Sequence, residues 1–131
     1  MFGATSKVQP QFQRVQQAAE TATYRNIRHA AFSISKKAKA SIEKSERSSK
    51  PGSPPTTRGK GGHNLKGAIY TDADQYSAVI GPRASIVGDV GEAHEFGKSR
   101  KGDEFDERPF MGPALEASVD RFASDWHGSI G

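Results

Sequence analysis

Apolar residues recur at helical spacing along the first third of the chain. Ile27, Ala31, Ile34, Ala38 and Ile42 follow one another at intervals of 4, 3, 4 and 4, which puts them on one face of an α-helix. Val15 and Ala19 carry the stripe weakly toward the N-terminus. The pattern predicts one long helix over residues 11–44, entered just after Pro10, where a proline is tolerated. Thr21 to Thr23 is its weakest point, because threonine is a poorer helix former. The stripe is rich in alanine, which suits close packing on a sheet, and Lys36, Lys37, Lys39 and Lys44 mostly avoid it.

The helical pattern stops in SERSSKPGSPPTTRGKGGH, residues 45–63. Pro51, Pro54 and Pro55 remove amide donors, and glycines and serines add flexibility. Two readings stand here: a loose surface loop, or an extended arm that lies on a neighbouring subunit, its prolines lowering the entropy cost of ordering. On the second reading Lys50, Arg58 and Lys60 are candidate contacts to a partner. Period-2 alternation then predicts a hairpin, with strands over 65–70 and 76–81 around a polar turn at 71–75. Gly81-Pro82 ends the second strand. Ser85 to Gly88 reads as a few more extended residues, and Val90 to Phe96 as one or two helical turns closed by Gly97.

After a charged loop over 98–106, Arg108-Pro109-Phe110-Met111 reads as an edge strand, since proline suits an edge. Pro113 opens a second helix. Its apolar residues Leu115, Val119, Phe122 and Trp126 recur at intervals of 4, 3 and 4 and are expected to face the core, together with Phe96 and Phe110 as anchors of the loop ends. The expected architecture is α+β: a long N-terminal helix and a C-terminal helix packed on a small antiparallel sheet, with a Pro/Gly-rich extended arm. The whole of 1–131 is expected to be a single domain.

Composition narrows this picture. Hydrophobic residues make up 34% of the chain, low for a compact globule, so part of it is expected to serve as arm, loop or oligomer contact. No apolar run is long enough to cross a membrane, and the N-terminus does not read as a secretory signal. The chain has no cysteine, which removes thiolate metal sites and disulfides and fits assembly in a reducing cytoplasm. The net charge of +4 hides a polarity: residues 1–67 hold 13 Lys/Arg against 3 Asp/Glu, net +10, and residues 68–131 hold 6 against 12, net −6. A basic half can meet nucleic acid, or meet the acidic face of the next subunit in a head-to-tail ring, or be plain solvated surface.

Candidate chemistry adds little. His94-Glu95 lacks the second histidine of a metalloprotease helix, because position 98 is lysine. His29, His63, His94 and His127 show no ligand spacing. Asp103, Glu104, Asp106 and Glu107 do not alternate as a calcium loop requires. Gly-Lys-Gly-Gly at 59–62 lacks the phosphate-loop frame, and no serine sits in a nucleophile elbow. No enzyme and no cofactor are expected. The basic arm suits phosphate contacts, yet no aromatic residue lies between Phe32 and Tyr70 to serve as a stacking platform. A basic nucleic-acid-binding module remains the alternative reading.

One stretch carries more. AHEFGKSRKGDEFDERPFMGPALEAS, residues 93–118, with its order "HEFG, loop, RPFMGPALE", resembles the neck or tail-completion (head–tail joining) proteins of long-tailed bacteriophages, related to the virion morphogenesis proteins of Mu-like phages. The Pro-rich passage SKPGSPPTTRGKGGHNLKGAIY looks like the passage before that family's first strand, although GGHNLKGAI departs from the Thr-Gly-Xaa-Leu-type turn often found there. The resemblance implies a structural virion protein, assembled in the host cytoplasm into a homo-oligomeric ring at the head–tail junction, six- or twelvefold. It implies head-closure or connector proteins on one side, tail-terminator or tail-tube proteins on the other, and DNA passing through the channel with non-specific contacts at most. Within the signature, His94, Glu95 and Arg108 are the candidate interface residues. Arg108 could pair instead with Glu95 or with an acidic neighbour, a contact worth little at a surface.

Overall fold

The computed structural model describes residues 2–58, 64–97 and 105–128, with side chains from Pro10 onward. Its frame is α1, Phe2–Ser41, a helix of 40 residues and so about 60 Å long at 1.5 Å per residue. The expected stripe forms its inner face: Ala31, Ile34, Ala38 and Ile42 are buried, and Ile27 is half-buried. Ala22 and Asn26 extend that buried face, whereas residues 11–18 are all exposed. Pro10 lies inside the helix rather than before it. No break occurs at Thr21–Thr23, because the Thr23 hydroxyl donates back to the Ala19 carbonyl at 2.7 Å and is satisfied within the helix.

The passage after α1 turns back onto the domain. Strand β1, Glu43–Lys44, pairs in parallel with β2, Thr56–Thr57. The Ser45 amide donates to Thr57 (2.9 Å) and the Gly52 amide to Glu107 (2.7 Å). Thr56 Oγ1 donates to the Arg47 carbonyl at 2.8 Å, and Pro55 is fully buried. The described part of the expected arm, residues 45–58, is therefore fastened to its own subunit. Residues 59–63, Lys60 among them, lie outside the described residues.

The hairpin forms, but its first strand begins four residues, and its second two residues, later than the alternation suggests. Strand β3, Ile69–Ala73, pairs antiparallel with β4, Ala78–Pro82, in the register Ile69↔Pro82 to Ala73↔Ala78. The first expected strand gives way to a turn at 64–68, where Asn64 Oδ1 accepts the Gly67 amide at 2.6 Å. The hairpin turn is an Asx turn. Asp74 accepts the amides of Tyr76 and Ser77, each at 2.8 Å, and these bonds, Tyr76's first, hold its carboxyl below the usual range.

Helix α2, Ala84–Val87, replaces the extended residues expected there. Helix α3, Val90–Phe96, ends as expected at Gly97, in the left-handed region with φ 65°. No edge strand forms at 108–111: residues 105–109 are irregular, and Met111 already belongs to α4, Met111–Asp125, with Pro113 in its first turn. The fold is α+β, with α1 and α4 packed against small sheets that include the β3–β4 hairpin. Its core joins Ile34, Ala38, Ile42, Leu65, Ile69, Phe110 and Ala114, flanked by Ile80, Val87 and Met111.

Helix α4 corrects the expected core. Phe110 is 1% exposed, as anticipated, but the buried residues of the helix itself are Ala114 and Ser118. Leu115 and Val119 are 52% and 50% exposed, and Phe122 and Trp126 are only half-buried, edge to face with ring centres 6.1 Å apart. The helix is rotated by about one residue from the expected setting. Small side chains thus meet the alanine-rich face of α1, and the interface can close tightly. Lys37 Nζ fixes that rotation by donating to the Ala117 carbonyl (3.0 Å) and Ser118 Oγ (3.1 Å). Asp125 lies 3.0 Å from the His29 ring nitrogen at the far end. Phe96, also expected in the core, is 66% exposed.

Candidate interaction site

The signature HEFG…RPFMG folds into a clasp between α3 and α4. The first amides of a helix have no partner within it, and Phe110, at the start of α4, offers no side-chain cap. Glu95 supplies one from α3. Its Oε2 accepts the amides of Phe110 (2.9 Å) and Met111 (3.0 Å), and its Oε1 accepts that of Gly112 (2.8 Å). A carboxylate there also meets the positive end of the helix dipole. A Cβ at position 112 would approach Glu95 Oε1 to 3.0 Å, so glycine leaves the carboxylate its room.

The other half of the clasp is Arg108. Its amide donates to the His94 carbonyl at 2.6 Å, and its Nε donates to the Ser49 carbonyl at 3.1 Å. Its contact with the Asp106 carboxylate is loose, at 3.9 Å. The His94 ring stands edge-on to Phe105 with centres 4.9 Å apart, and its Nδ1 is buried with no hydrogen-bond partner among the described residues. Burial, and then the nearby Arg108 charge, lower its pKa from 6.5.

His94, Glu95 and Arg108 are thus brought together, but they are spent within the subunit. The Arg108 side chain is largely buried and engages the Ser49 carbonyl and, loosely, its acidic neighbour Asp106 rather than Glu95. Lys50 and Arg58 are exposed and remain available for contact. The Arg108 bond to Ser49 brings the clasp to the residue before Lys50.

The feature missed by sequence reasoning is an apolar groove between α1, β4, α3 and α4. Its larger part, about 770 Å³, is lined by Ile34, Ile80, Pro82, Phe96, Met111 and Leu115, with Asp89, Glu92 and Glu95 on its acidic side. It continues past Leu115 into a second part of about 390 Å³, lined by Ile27, Tyr76, Val119 and Phe122, and both parts share Ile34, Ile80 and Leu115. The signal was present: the Leu115–Val119–Phe122 stripe and Phe96 are the groove's own large residues. The spacing gave their common face and not what covers it.

Among the described residues no cluster of three His, Asp or Glu side chains could hold a metal ion, and no helix is long and apolar enough to cross a membrane. Comparison with family models, with characterised proteins and with solved structures yields no match to this chain.

Proposed function

We propose that this chain is a structural adaptor of a phage virion, a subunit of a ring at the head–tail junction that joins a connector or head-closure ring to the tail. The observation that carries the reading is the uncovered groove. A small fold that leaves Phe96, Leu115 and Val119 half-bare or more, in one concave apolar strip, has surface suited to another protein. The charge polarity supports it: a basic N-terminal half and an acidic C-terminal half favour contacts between unlike faces of successive subunits. The resemblance of HEFG…RPFMGPALE to neck proteins supplies the setting. On this reading the signature shapes the subunit and positions the groove, and the groove makes the contact. A ring then multiplies weak contacts into one docking surface.

The test is native mass spectrometry and electron microscopy of the full chain, alone and with heads and tails prepared without it. Rings, and restored joining of filled heads to free tails, are the expected result. A chain that stays monomeric in both settings sinks the reading. Binding of duplex DNA by such a monomer, with a steep salt dependence, would establish the nucleic-acid module in its place.

A further inference from the structure

The groove has a counterpart on the same molecule. Helix α1 runs well beyond the core, and its residues 11–18 touch nothing that buries them. Phe12 and Val15 are 65% and 56% exposed, and with Ala19 they recur at intervals of 3 and 4, a narrow apolar stripe along a projecting rod. Such a stripe is the usual key for a groove of this kind, where a helix lays one face into an apolar channel.

The stripe cannot enter its own groove. Ile34, which lines the groove, lies on the same helix as Phe12, 22 positions later, or about 33 Å along the axis. Bringing the two together within one chain would require breaking α1. A second copy has no such constraint. Charge points the same way: residues 2–19 hold Lys7 and Arg14 and no acid, whereas Glu116 and Asp120 adjoin Leu115 and Val119 in sequence and Asp89 and Glu92 border the groove.

We infer that the projecting half of α1, through Phe12 and Val15, seats in the apolar groove of a second copy of this chain, over Leu115. The inference rests on the ring reading and names the contact that would build it. Stripe and groove are different surfaces, so the contact is heterologous: every copy offers one of each, and repetition gives a ring or a filament rather than a closed pair.

The absence of native cysteine allows a direct test by bismaleimide cross-linking in the full chain. A Phe12→Cys chain is mixed with a Leu115→Cys chain; both positions are exposed, so the fold tolerates the change, and Val15 on one side with Phe96 and Val119 on the other remain to hold the contact. The expected product is a cross-linked pair that stops at two. A chain carrying both substitutions should give a ladder of multimers, and adding Arg14→Glu should reduce the yield several-fold at low salt. Phe12→Cys mixed with Val79→Cys, an exposed position outside the groove, should give little.

A 12–115 yield no higher than the 12–79 yield overturns the inference, as does a dominant 12–12 product, which would mean that the stripes pair with each other. Rings seen by native mass without a 12–115 product remove this contact and leave the ring reading standing. A chain monomeric at every concentration removes the contact too, and the ring reading is then decided by assembly with heads and tails.

Discussion

The two faces of α4 are built on opposite rules. The inner face is made of small residues, Ala114 and Ser118, below the large anchor Phe110, and it is sealed against α1. The outer face is made of large apolar residues, Leu115 and Val119, and half of each is open to solvent. A subunit designed only for its own stability would bury the larger side chains, each worth about 1.5–3 kcal/mol when fully covered. Here small residues let two helices approach closely, and the large ones stay half open. The difference separates surface that stabilises the subunit from surface that the subunit leaves open to solvent.

Substitutions along α4 can break this comparison. Phe110→Ala removes the largest fully buried side chain of the core and is expected to cost about 3–5 kcal/mol, read as a fall in the denaturation midpoint of the isolated subunit. A cost like that of a surface change would mean that the inner face is not sealed. Ala114→Leu, which adds volume where α1 and α4 meet, should cost about 1–3 kcal/mol by overpacking, measured in the same unfolding experiment. Leu115→Ala, one residue further on, should change stability by no more than about 0.5 kcal/mol and yet weaken self-association in sedimentation. If Leu115→Ala destabilises the subunit as much as Ala114→Leu does, the outer face is core after all.

The smallest effect sharpens the picture at the clasp. His94 has a folded pKa lowered from 6.5, chiefly by burial, so the unfolded chain binds its proton more readily. Its contribution to stability is full above the unfolded value and is lost as pH falls through the lower folded value. Unfolding measured across mildly acidic pH should show this decline in the native chain, and His94→Phe, which keeps an aromatic ring against Phe105, should flatten it. An unchanged pH profile would mean that His94 titrates alike in both states.

Much of the frame was legible in the sequence. The stripe from Ile27 to Ile42, the Gly97 stop and Pro113 in a first helical turn follow from local periodicity and backbone limits, and the folded chain keeps them. The hairpin was legible in kind but not in register, because Asn64 takes the Gly67 amide and holds Leu65 in a turn. The edge strand at 108–111 failed because Glu95, more than a dozen residues upstream, captures three amides there; no local pattern announces such a bond. Of the site residues, His94, Glu95 and Arg108 were named as interface candidates, and the hydrogen bonds they make here are internal. Periodicity placed Leu115, Val119 and Phe122 on one face correctly. It could not assign that face to the inside or outside, because α1 offers alanines, and alanines select the small side of α4.

The clasp fixes both ends of the segment between α3 and α4. His94 holds Arg108 through the backbone, and Glu95 holds residues 110–112. With anchors tied on either side, those bonds set the separation of the two ends, whatever the number of residues that joins them. Doubling a loop costs only about 0.6 kcal/mol in closure entropy. A short epitope or an affinity tag inserted between the two anchors is therefore expected to leave both in place, read as an unchanged denaturation midpoint of the tagged chain.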